Sequence, residues 1–261
     1  MVGLKYEQLE QLIKQALTLQ TQKQQEVEAQ KTRIINKGGG RKAKLSASEQ
    51  ILLTLIYLRQ FTTFQLLGIQ FGVSESTAND TFNYWLPLLQ ELLPSSLLEQ
   101  VKKTASDYEI VQEILTDYEL IVDSEEQPRE RPVEYKEQKK YYSGNQKNHT
   151  FKNQITLLPD GKDIVDVIAG EPGPKSDITL FCEGQKDFDP NQNFQGDKGY
   201  AGEASIKTPT EKPKKGELTL RQKEENKQMA GDRIFVEHLI RVVKIFRIAS
   251  ERFRLNSWKY E

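Results

Sequence analysis

Apolar residues recur at helical spacing through the first third of the chain and at strand spacing through much of the rest. Leu9, Leu12, Ile13, Ala16 and Leu19 predict an amphipathic helix within residues 4–33; a coiled coil is the lesser alternative, because the repeat fades after Leu19. Gly38-Gly39-Gly40-Arg41-Lys42-Ala43-Lys44 then reads as a basic linker that ends the helix. Ser46 and Glu49 form a capping-box pattern ahead of Ile51, Leu52, Leu55 and Leu58. Another apolar stretch, 62–71, is followed by a break at Gly72-Val73-Ser74 and a helix over 75–86. Ser74 is its expected cap, and Val73, Ala78 and Phe82 its expected inner face. Pro87 and Pro94 are expected to interrupt the helical run, and Leu97–Tyr118 to be helical again.

From residue 119 the pattern changes. Glu119-Leu120-Ile121-Val122-Asp123 predicts a short buried strand with an acid at its end, and Ser124–Pro132 a charged loop. Asn148–Leu158, the turn signal Pro159-Asp160-Gly161 and Asp163–Ile168 predict a hairpin. Ser176-Asp177 opens a helix. Asn193–Tyr200 reads as a second strand end carrying an acid, Asp197, between glycines. A basic loop around Pro209 and Pro213 leads through a polar helix into Arg233–Ile248, which reads as a helix apolar almost all round. Ile234, Leu239, Ile240, Val243 and Phe246 are its expected anchors.

The 261 residues are 36% hydrophobic and 29% charged, enough for a core. A lone cysteine, Cys182, excludes a disulfide framework and points to a reducing compartment. The first residues lack a leader pattern, and no apolar run is long enough for a membrane span, so a cytoplasmic location is expected. Net charge is −1, but the basic residues cluster at 31–44, 136–152, 207–227 and 241–254. Separate segments of this kind can build one basic patch.

Helix, short glycine-containing break and helix is the layout of a helix-turn-helix; an ordinary three-helix bundle is the lesser alternative. In the first reading Ser76, Thr77, Asn79 and Asn83 face bases or phosphates, with Arg41, Lys42 and Lys44 strapping the backbone. The second helix has Glu75 and Asp80 but no Arg or Lys before Tyr84, so it lacks the commonest guanine contact. DNA affinity is then expected to come mostly from other segments.

Asp123, Asp197 and Glu237 stand out among the acids. A carboxylate on an apolar helix is costly unless it is paired or metal-bound. If the two strand ends converge and the helix packs on the sheet, the three form an oxygen-only set suited to Mg²⁺ or Mn²⁺, and two such ions suit phosphodiester chemistry. Strand-end polarity, helix-start charge and a Glu237–Arg241 salt bridge explain the same residues without a metal.

Several stretches, in order, carry a resemblance: Gly40-Arg41 to Leu45-Ser46, Phe71–Thr77, Ile121-Val122-Asp123, Glu130-Arg131-Pro132, Tyr142-Ser143-Gly144, His149–Gln154, Gly196–Tyr200, Pro213-Lys214-Lys215 and Arg233–His238. In these the chain resembles bacterial insertion-sequence transposases of the DDE superfamily that carry an N-terminal helix-turn-helix. The resemblance implies an α/β fold, a ribonuclease-H-like mixed sheet flanked by helices, preceded by an all-α helix-turn-helix region. It implies that Asp123, Asp197 and Glu237 bind two divalent ions, Mg²⁺ or Mn²⁺. It also implies cleavage of double-stranded DNA at the terminal inverted repeats of an element and strand transfer of the 3′-OH into target DNA, by a homodimer assembled on DNA in the cytoplasm at the nucleoid. The expected organisation is an amphipathic segment at 1–37, a basic linker at 38–46, a helix-turn-helix domain at 47–95, a connecting helix at 96–118 and a catalytic domain at 119–261. Relatives generally continue through another apolar helix, so a C-terminal truncation is an expectation as well. Further DNA contacts are expected at Arg131, His149, Lys152, Lys198, Lys214, Lys215, Arg241 and Lys244, and Arg129 is a related candidate. Asp177 is either a fourth carboxylate or a helix-start residue; His238 is read as a packing residue. The competing functions are a non-catalytic DNA-binding protein and a host nuclease.

Overall fold

The computed structural model describes residues 2–30, 42–102, 104–255 and 260. It divides into two compact units, Met1–Pro94 with Ile245–Ile248, and Ser95–Lys244 with Ala249–Glu261.

The first unit is helical: α1 (Tyr6–Gln30), α2 (Ala47–Gln60), α3 (Phe64–Phe71) and α4 (Glu75–Leu92). Leu12 and Ala16 are the buried positions of α1, which thus lays one narrow stripe on its neighbours. Ser46 caps α2 with both bonds of the capping box. Gly72 ends α3 at φ 66°, a conformation glycine adopts without penalty, and Ser74 caps α4. The turn is tight: a Cβ at Gly68 would stand 2.8 Å from the Val73 carbonyl oxygen. Ala78 and Phe82 are buried as expected, with Trp85, whose indole N–H donates to Gln50 Oε1 at 2.9 Å; Val73 is half-buried. Pro87, expected from the sequence to interrupt the helical run, instead lies inside α4.

The second unit contains α5 (Leu97–Val101), α6 (Ala105–Leu115), β1 (Glu119–Pro128), α7 (Tyr135–Tyr141), β2 (Tyr142–Ser143), β3 (Asn148–Leu157), β4 (Ile164–Pro172), α8 (Asp177–Gly184), β5 (Asn193–Gln195), β6 (Ile206–Lys207) and α9 (Leu220–Lys244). The expected continuous helix over 97–118 is therefore two helices. β1 runs antiparallel to β3 and β3 antiparallel to β4; β5 lies parallel to β1 and β6 parallel to β5. The strand order is thus β4-β3-β1-β5-β6, with β2 on the end of β3. An antiparallel meander followed by parallel strands reached through a helix is the ribonuclease-H-like arrangement the resemblance implies.

Alternation along β1 sends successive side chains to opposite faces. Leu120 and Val122 join Val165, Phe181, Phe194 and Tyr200 in one cluster, while Ile121 joins Ile155, Leu157 and Val236 in another, backed by Leu239 and Ile240. Two differences from the sequence reading stand out. β1 continues through the charged residues 124–128, because each is registered against β3, from Ser124↔Gln154 to Pro128↔Thr150. α9 begins at Leu220 and ends at Lys244, and it is amphipathic rather than buried: Met229 and Val236 are its buried residues, whereas Ile234 is 52% and Val242 57% exposed. Ile234 is therefore no anchor. Phe246 belongs to the first unit, where the Arg59 guanidinium stands 5.5 Å over its ring.

Candidate active site

Asp123 lies on β1, paired across the sheet with Ile155. It is half-buried, and its Oδ1 accepts from the Ser124 N–H at 2.9 Å. Burial pushes its carboxyl up to about 6. Asp197 and Asp177 push the same way, whereas the Arg233 guanidinium and the Ser124 N–H oppose them. Arg233 was not among the residues singled out as candidates in the sequence; only its spacing of four from Glu237 hints that it shares that face.

Asp197 caps a short turn, Lys198–Tyr200, through a 2.7 Å bond to its Oδ1 from the Gly199 N–H. Asp177 opens α8, which Ser176 caps, so the helix-start reading holds. Its Oδ1 also accepts from Lys152 Nζ at 2.8 Å. A Cβ at Gly199 would stand 2.8 Å from Asp177 Oδ2 and 2.9 Å from Asp197 Oδ1, so the two carboxylates flank that glycine.

The structure thus brings Asp123, Asp197 and Asp177 into one electrostatic neighbourhood. Glu237 is exposed on α9, one turn beyond Arg233 and beside buried Val236. No ion pair joins Glu237 to Arg241, which is also exposed. Among the described residues no three His, Cys, Asp or Glu side chains converge as a finished metal cage. The donors near Asp123 nonetheless suit a hard divalent ion: all are carboxylate oxygens, they repel one another, and one carboxyl is held half-buried at a cost that a cation offsets.

The expected DNA contacts divide into several groups. Arg41 lies outside the described residues. Lys42 is exposed, and the Lys44 ammonium meets the Gly72 carbonyl. Ser76, Thr77 and Asn83 are exposed on α4 and Asn79 is half-buried, with the Asn83 amide donating to Asn79. Arg131 is exposed and donates to Gln138 Oε1 at 2.8 Å. His149 packs edge-on to Tyr142; burial, then Arg131 and Arg129, hold its imidazole below the usual range. Lys198, Lys214 and Lys215 are exposed, Lys198 standing 3.7 Å from Glu211.

Three residues differ from expectation. Lys152 is buried at 7% exposure with its ammonium on Asp177, so it is no free phosphate contact. The Lys244 ammonium is engaged by Glu125 at 2.5 Å. Arg129 lies between the Tyr141 and Phe151 rings, its guanidinium carbon 4.1 and 4.3 Å from their centroids, a cation–π clamp rather than a surface charge.

A family profile described as "DDE superfamily endonuclease" matches residues 122–260, and another, "Helix-turn-helix of DDE superfamily endonuclease", matches 43–95. The chain is 32% identical over 223 residues to a probable transposase for insertion sequence element IS702 from Microchaete diplosiphon, covering 82% of this chain and 76% of the relative. Solved structures of a pre-cleavage Mos1 transpososome (11% identity, 86% of this chain and 84% of that one, TM-score 0.21) and of a Mos1 transposase paired-end complex with left transposon end (12%, 88% and 86%, 0.23) also match. At such TM-scores they add no weight. The family profiles and the IS702 relative suffice: the chain belongs to the DDE superfamily endonucleases, among the insertion-sequence transposases with an N-terminal helix-turn-helix.

Proposed function

We propose that this transposase cuts double-stranded DNA at the terminal inverted repeats of an insertion sequence and joins the freed 3′-OH to target DNA, acting as a homodimer on DNA. In the cut, a water oxygen bonds to phosphorus as the bond to the 3′ oxygen breaks, and the 3′-OH leaves protonated. In the joining step that hydroxyl oxygen bonds to a target phosphorus as the target's own bond from phosphorus to the 3′ oxygen breaks, and the proton of the attacking hydroxyl leaves with the target's 3′-OH. Both are in-line displacements, so one site serves both.

Asp123, Asp197 and Glu237 are the residues that would hold the divalent ions, Mg²⁺ or Mn²⁺, two per site. When bound, such ions supply charge stabilisation to the attacking and leaving oxygens. The observation that supports this reading most is the half-buried Asp123 carboxyl on β1, raised by burial and by the nearby charges of Asp197 and Asp177. Arg233 offsets part of that negative charge. Glu237 reaches the site in this reading from the α9 stripe it shares with Arg233. Ser76, Thr77, Asn79 and Asn83 would read the DNA end from α4, while Arg41, Lys42, Lys44, Arg131, Lys198, Lys214, Lys215 and Arg241 would hold phosphates.

The test is a cleavage and joining assay on end-containing DNA with Mg²⁺ or Mn²⁺. Wild type should cleave and join, and Asp123→Ala should do neither. Equal cleavage by the two would refute the site.

A further inference from the structure

The buried hydroxyl of Tyr200 lies 2.6 Å from Ser124 Oγ, and the buried Gln154 amide closes the group. Gln154 Nε2 lies 3.2 Å from the Tyr200 oxygen, 3.3 Å from Ser124 Oγ and 3.4 Å from the Asp177 main-chain carbonyl. These residues come from β1, β3, α8 and the turn after β5. Each except β3 carries one of the three aspartates.

The local geometry makes the connection stiff. Ser124 directly follows Asp123 on β1. Tyr200 ends the turn that Asp197 caps, and its own N–H donates to the Asp197 carbonyl at 3.3 Å. The Tyr200 ring is 1% exposed and seated on the strand end: a Cβ at Gly196 would stand 2.8 Å from it.

We propose that Tyr200, through Ser124 and Gln154, is a positioning residue that sets the placement of Asp197 against Asp123. This rests on the reading of those two aspartates as metal ligands. The phenol fixes the Asp197 turn to β1 at the residue next to Asp123. A cation shared by both acids needs their separation held within a fraction of an ångström.

The test measures Mn²⁺ binding by the full chain without DNA, by calorimetry, alongside thermal unfolding and DNA cleavage. Tyr200→Phe keeps the ring and removes the hydroxyl. It should stay folded at the assay temperature, bind Mn²⁺ about tenfold more weakly, and lose cleavage in parallel. Ser124→Ala should do the same, and the double variant should lose no more than either single one, because one linkage is removed once. Wild-type Mn²⁺ affinity in Tyr200→Phe, or additive losses in the double variant, would overturn the proposal. If Tyr200→Phe does not fold, Ser124→Ala alone decides, with wild-type affinity overturning the idea. Asp123→Asn runs in parallel: Mn²⁺ binding equal to wild type there would defeat the ligand reading itself, and this proposal with it.

Discussion

Lys152 and Asp177 form an ion pair at 2.8 Å between β3 and the first residue of α8, with the lysine side chain 9% exposed and the aspartate 31%. A lysine in that position is tolerable only while its charge is met. Lys152→Met removes the cation and leaves Asp177 without its closest partner. A loss on the order of 2 kcal/mol is expected, below the usual cost of breaking a fully buried pair because Asp177 is partly solvated. Denaturant unfolding measures it, and Lys152→Met combined with Asp177→Leu should recover most of the loss. A single variant as stable as wild type would show that the pair contributes nothing.

Gly199 separates two carboxylates. Its backbone does not need positive φ, so Gly199→Ala should fold, but the new methyl group would stand within 3 Å of both Asp177 Oδ2 and Asp197 Oδ1. One carboxylate is held by Lys152 and the other by its own turn, so one must give way. Cleavage should fall at least about tenfold with a stability change near 1 kcal/mol or less. Gly144→Ala is the control, because nothing lies within 4 Å of its added Cβ. Equal activity in the two variants would remove Gly199 from the site.

Much of this architecture is legible in the sequence where the signal is local. Ser46 with Glu49, Ser74 and Gly72 mark helix ends through their own neighbours, and each does so in the structure. The hairpin of β3 and β4 follows from alternation around a turn. The reading weakens where distant residues decide. Glu125 and Glu126 resemble loop charges until β3 pairs with them and Lys244 and Thr150 meet their carboxylates. Lys152 resembles a DNA contact until Asp177, a residue 25 positions away, takes its charge. The apolar run of α9 suggests a buried helix, yet only the stripe through Met229 and Val236 is covered. The Tyr200–Ser124–Gln154 linkage has no pattern in the chain, since it exists only once three elements are placed.

The Asp123 carboxyl gives a pH signature in metal-free protein. Its folded-state pKa, about 6, lies above the ordinary 3.8, so the folded state holds more protons between those values. Stability linked to this group is therefore greatest below about pH 4 and falls as pH rises through 6. Asp123→Asn removes that slope. At pH 7.5 the variant should be more stable than wild type, by on the order of 2 kcal/mol, with the difference shrinking towards pH 4. Unfolding curves across that range check it, and a difference that grows on acidification would contradict the assignment.

Glu237 offers the sharpest separation of function from stability. Its side chain is exposed on α9, and Arg241, one turn on, forms no ion pair with it. Exposed substitutions without such partners usually shift stability by less than about 0.5 kcal/mol. Glu237→Gln keeps the size and the helix propensity and removes only the charge. Unfolding should be unchanged, while cleavage of end-containing DNA should drop by two orders of magnitude or more if the carboxylate holds a metal ion, since its contribution is then made at the reacting phosphate. The neighbouring His238→Ala, also exposed, should leave both measurements near wild type. Full activity in Glu237→Gln would remove Glu237 from the ligand set and leave Asp177, already beside Asp123 and Asp197, as the carboxylate to test in its place.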